Sequence, residues 1–112
     1  MAETFNNASV KLTSTNATDL YQAPTSAAAD RAIVLSCLVA NVDGTNNAEI
    51  TLWIANSSDT QLSILASTIP VPADSSVELI PNKVVLTQGQ KLRAQAGTAN
   101  DLHVTISVLE IT

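Results

Sequence analysis

The chain has little that could do chemistry. It holds one cysteine, one histidine and three aromatic residues, and charged residues make up only 13% of its 112 positions, about half the usual share. Each shortage closes off a class of function. A lone Cys37 cannot form an intrachain disulfide. Inside the apolar run AIVLSCLVA it reads as a small buried hydrophobe rather than a nucleophile. One histidine and one buried cysteine fall short of the three or four ligands that a zinc site needs. His103 stands alone on the polar face of the last strand pattern, without the nucleophile and orienting acid of a triad. The ten acidic residues are scattered and present no pair for glycoside hydrolysis. The expectation is a protein that is not an enzyme, with no catalytic residue, no cofactor and no metal.

Positive charge is scarce too. Lys11, Arg31, Lys83, Lys91 and Arg93 are spread along the chain, and the net charge is −5. Nucleic-acid binding needs clustered Lys and Arg to neutralise phosphates, so no nucleic-acid partner is expected. Only Lys91 and Arg93 lie close, and at a spacing of two they share one face of a strand, read as a solvated face. No apolar run approaches the roughly 20 residues of a membrane span, so no membrane partner is expected. The opening MAETFNN has neither the basic nor the apolar region of a secretory signal. Synthesis and folding in a reducing cytoplasm are expected.

The scarce aromatics are Phe5, Tyr21 and Trp53. Sugar-binding modules present stacked Trp or Tyr platforms, and three dispersed rings argue against one. Trp53 shares a strand face with Thr51 and Ala55, where it suits an interface anchor, a platform or a core filler. Phe5, Tyr21 and Trp53 are the interface candidates.

What is abundant is β-pattern. No window carries a helical stripe. Alternation marks SVKLT (9–13), a short LYQ, the long apolar 32–42, 49–56, 61–68, 76–80, two strands within 83–97, and 101–111. In 32–42, Ile33, Leu35, Cys37 and Val39 are assigned to one side. Pro70 and Pro72 keep 69–74 from being a central strand. Turn signals recur every 8–12 residues or so, which predicts an all-β protein: an antiparallel β-sandwich of 8–9 strands, jelly-roll-like or Ig-like. The length suits one domain, divided here into a polar N-terminal arm (1–8) and a sandwich (9–112).

NVDGTNNAEI (41–50) poses one further choice, between a calcium loop and a bend. An EF-hand places oxygen ligands at positions 1, 3 and 5, Gly at 6 and Glu at 12. With Asn41 first, Gly44 falls at position 4, Asn46 at 6 and Leu52 at 12. The pattern fails, and Asp-Gly between two strand patterns predicts a hairpin with a type I′ turn.

The segments LYQAP (20–24), AIVLSCLVANVDGTNNAEITLWI (32–54), IPVPADSSVELIPNKVVLTQGQKLRA (69–94) and HVTISVLEIT (103–112), taken in order, resemble a family of small virion proteins of tailed bacteriophages. Residues 1–19 lie outside the resemblance. It implies a β-sandwich subunit present in many copies in the virion, decorating or cementing the capsid, or sitting on the tail or neck. It carries over no cofactor and no catalytic residue. On that basis a capsid decoration (cement) protein is expected, assembled as a homotrimer on the major capsid protein. Its N-terminal arm would be ordered by neighbours, so that deleting 2–8 would weaken particle binding and spare the fold. A tail, neck or baseplate component and a sugar-binding module for host attachment stand as alternatives; the latter requires an exposed Trp53.

Overall fold

In a computed structural model, which describes residues 2–112, the alternating segments form nine strands: β1 (Glu3–Leu12), β2 (Thr18–Gln22), β3 (Arg31–Asn41), β4 (Ala48–Ala55), β5 (Gln61–Val71), β6 (Ser76–Glu78), β7 (Val84–Thr87), β8 (Lys91–Ala96) and β9 (Leu102–Ile111). They build two antiparallel sheets. The first runs β1-β9-β3, with β6 and β7 sharing the far side of β3; the second runs β2-β8-β4-β5. Except at β4–β5 and β6–β7, each strand is followed by one in the other sheet. That shuttling is the jelly-roll arrangement, which decides between the two topologies the sequence allowed.

The core follows from period-two alternation. Leu102, Val104, Ile106 and Val108 of β9 face inward from the first sheet, and Ile50, Leu52, Leu92 and Ala94 from the second; all are buried. Each large apolar side chain removed from water contributes about 1.5–3 kcal/mol.

β3 departs from simple alternation. Its register with β9 slips between Val34 and Ser36, so Leu35 is an extra residue in a β-bulge. Ala32 and Val34 point inward before it, Cys37 and Val39 after it. The expected grouping of Ile33 and Leu35 with Cys37 and Val39 is therefore wrong by one residue: the bulge resets the phase. Past the bulge β3 lacks a strand partner between β7 and β6. The Glu78 carboxylate stands in for one, accepting the Cys37 N–H at 2.8 Å and the Ile80 N–H at 2.9 Å. Leu79 N–H in turn donates to Cys37 O at 2.9 Å. Burial, with Glu78 adding, pushes the Cys37 thiol up to about 12. A protonated, buried thiol is a poor nucleophile.

Asp43-Gly44 does not close a hairpin. β3 and β4 belong to different sheets, and among glycines only Gly89 has positive φ, +72°, so the type I′ geometry is absent. The 42–47 segment is a crossover between layers. The expected arm differs as well. From Glu3 onward the chain is already β1, paired with β9 in unbroken register from Glu3↔Ile111 to Leu12↔Leu102; Met1 lies outside the described residues. The reason is that this is an edge strand, where exposed polar side chains cost nothing and the backbone ladder supplies the order.

The remaining edges are irregular. β5 carries Pro70 and three register shifts against β4, β2 has five residues and one shift, and the far side of β3 is split between β6 and β7.

Candidate interaction surface

The three aromatic candidates end up in three different environments. Phe5 is 76% exposed. Its register places it in a row across the outer face of the first sheet: Phe5 on β1, Leu109 on β9, Ile33 on β3 and Val85 on β7. Directly paired residues point to the same side, and the next row, Ala32 and Leu86, is buried on the inner side. The row is therefore apolar and lies on the outer face at all four strands, with Phe5 and Val85 (55%) exposed at its ends and Leu109 and Ile33 half-buried between them. Leu35, raised by the bulge, adjoins it around a shallow recess shared with Asn6, Asn7 and Ser107. Apolar surface of this kind is the usual mark of contact sites on proteins.

Tyr21 is half-buried and spans the two sheets. Its hydroxyl donates to Glu110 on β9, so its polar end is engaged within the chain. Burial first, then the hydrogen bond and the Glu110 charge, hold the phenol above its ordinary value of 10.0. Because the folded value is the raised one, the folded state keeps a proton that the unfolded chain loses above about pH 10. This contribution is whole below that pH and fades as pH climbs further. Thermal melts should show the parent losing more stability than Tyr21→Phe between about pH 9.5 and 11; parallel pH profiles would contradict the linkage.

Trp53 is only 7% exposed. It lies on the outer side of the second sheet, where its row neighbours are Arg93 on β8 and Ile64 on β5. Lys91 and Arg93, expected as a solvated face, are mostly covered. Arg93 Nε meets Asp19 at 2.6 Å, and Lys91 Nζ meets Asp59 at 2.7 Å and Asp19 at 3.1 Å. Asp19 on the neighbouring β2 and Asp59 in the turn between β4 and β5 let these long side chains lie down over the sheet rather than extend. The sugar-binding alternative needed an exposed Trp53 ring and loses it here.

The polar loop at 41–47 consumes its own oxygens. Asn41 Oδ1 accepts from Asp43 N–H at 2.9 Å, Asp43 Oδ1 from Thr45 N–H at 2.9 Å, and Asn47 Oδ1 from Ala73 N–H at 3.2 Å. The first two are turn-forming bonds within the crossover, and the third ties it to Ala73, just past β5.

Two sheets closed on an apolar core, with an apolar row on the outer face of the first, define a jelly-roll module. No family model matches the chain, and no curated protein matches it in sequence. Solved structures share its fold at low identity. A chain from the disulfide-linked pili of Bacillus endospore appendages superposes with a TM-score of 0.57 at 15% identity, covering 97% of this chain and 84% of the other. A chain from the acid-stable capsid of Helicobacter pylori bacteriophage KHP30 gives 0.54 at 13% identity, with coverages of 100% and 89%. A chain of infectious bursal disease virus, Gx strain, gives 0.50 at 14%, covering 96% of this chain and 33% of that longer one.

The sequence pointed to Phe5 but missed Leu109, Ile33 and Val85 as its companions. Alternation says which way a residue points; only register says which strands bring such residues into one row.

Proposed function

We propose that this chain is a structural protein of a bacteriophage virion, a decoration (cement) protein that sits on the outer surface of the major capsid shell and stabilises it. The observation that carries this reading is the solvent-facing row Phe5–Leu109–Ile33–Val85, a surface with contact as its available use. The jelly-roll fold, shared with a chain of a phage capsid, supports it. The partners in this reading are the major capsid protein and other copies of the chain, arranged as trimers between capsomers. The mechanism is area multiplied by copy number: many modest interfaces act together on one shell. Phe5 is the anchor. Residues 3–8 serve as the rigid edge that presents it, not as a loose tether.

Cryo-electron microscopy of the intact particle tests the location. Copies seated across the shell with the first sheet against the capsid are expected; density confined to tail or neck, or absent, overturns the cement role. Rebinding of purified chain to stripped particles tests the surface. Removing an anchor worth about 2 kcal/mol weakens each contact roughly thirtyfold, so Phe5→Ala should lose occupancy that Leu62→Ala, exposed on the other sheet, retains. Equal rebinding by the two variants would refute the assigned face.

A further inference from the structure

β1 carries a long hydrogen-bonding edge. It pairs with β9 over ten residues without a bulge, and among the described residues no strand pairs with its other side. Ala2 and Thr112 exchange both backbone bonds, at 2.7 and 2.9 Å, which sets the phase of the ladder. Even-numbered residues of β1 direct N–H and C=O toward β9, while Glu3, Phe5, Asn7, Ser9 and Lys11 direct theirs off the sheet. The phase is visible at Asn7, whose N–H is taken by the Asn6 side chain at 2.9 Å instead of by β9. Natural edges are blunted by central charges, proline or bulges. β1 has none of these; its two charges, Glu3 and Lys11, stand at opposite ends.

We propose that this edge pairs with the same edge of a second copy, antiparallel about a two-fold axis at Asn7. Two independent constraints select that register. The ladder phase requires odd residues opposite odd residues. Charge then chooses among the permitted registers. With Asn7 opposite Asn7, Glu3 faces Lys11 of the second copy and Lys11 faces its Glu3, while Phe5 faces Ser9. Each charge lies four residues from Asn7, so the strand is complementary to itself, as an isologous contact demands. Shifting the axis by one residue either way leaves the charges without opposite partners. The two first sheets join into one continuous sheet. The inference rests on the edge alone and holds whatever surface the virion uses.

Sedimentation equilibrium of the full chain tests it. Even-numbered species are expected: dimers, or hexamers where the trimers of the virion reading pair through this edge. Glu3→Lys sets two positive side chains opposite each other and Lys11→Glu two negative ones, at both ends of the contact, so each weakens association by about tenfold at low salt. The charge-swapped E3K/K11E chain restores opposite pairing and should associate like the parent. Ser9→Pro removes an outward-facing donor that no group among the described residues takes, spares the β9 ladder and should abolish association with the far-UV spectrum unchanged. A chain that is monomeric or only odd-numbered at high concentration overturns the proposal. So does a charge-swapped chain that associates no better than the single variants.

Discussion

Asn41→Leu is expected to lower the melting temperature by about 12 °C. Asn41 is 3% exposed at the end of β3, and its amide ties three segments together. Its Nδ2 donates to Val71 O on β5 and to Asn46 O in the crossover, both at 2.9 Å, and its Oδ1 accepts from Asp43 N–H. Leucine has similar volume, so packing is nearly kept and the loss is polar. Carbonyls left without a donor cost about 1–3 kcal/mol each, or about 3 kcal/mol for a pair of which one is fully enclosed. For a chain of this length, each kcal/mol moves the midpoint by about 4 °C. Asn41→Asp should be worse at pH 7, because it turns a carboxylate oxygen toward two carbonyls. Differential scanning calorimetry checks both; a shift below about 4 °C for the leucine variant would mean that the amide bonds are dispensable.

Leu52→Ala should cost about 4 kcal/mol, near the upper end for such truncations. Leu52 is fully buried in the middle of β4, itself an interior strand of the second sheet. Its row partners are Ala94 on β8 and Ala66 on β5. Methyl side chains have no rotamers to swing into a void, and the ladder holds their backbones in place, so the cavity stays open. Exchanging the pair, Leu52→Ala with Ala94→Leu, restores volume to the same row and should recover more than half of the loss. Urea titration measures both. A truncation costing under about 2 kcal/mol would show that the sheets collapse into the gap.

The inward rows were legible from residues alone. In DLHVTISVLEI, Leu102, Val104, Ile106 and Val108 alternate with polar residues, and all four are buried. What escaped was everything that depends on a partner distant in sequence. Asp43-Gly44 has the chemistry of a hairpin, but in this topology the next strand belongs to the other layer, and no local signal marks that change. Leu35 is an extra residue in a run apolar on both faces, so the phase reset at the bulge leaves no trace in the pattern. Residues 3–8 look like an arm because an edge strand has little to bury. Trp53 was ambiguous for a related reason: on its outer face, cover comes from side chains of neighbouring strands, such as Arg93, held down by Asp19.

The split between β6 and β7 limits how far this molecule can associate by strand pairing. Where β3 might have offered a second open rim, the Glu78 carboxylate occupies the Cys37 amide. β5 is interrupted by Pro70 and its offsets, and β2 is short. A subunit with one open strand edge and several blunted ones can pair edge to edge once and then offers no further edge to a strand. Growth by strand pairing stops at two, and the module is protected from running on into fibres.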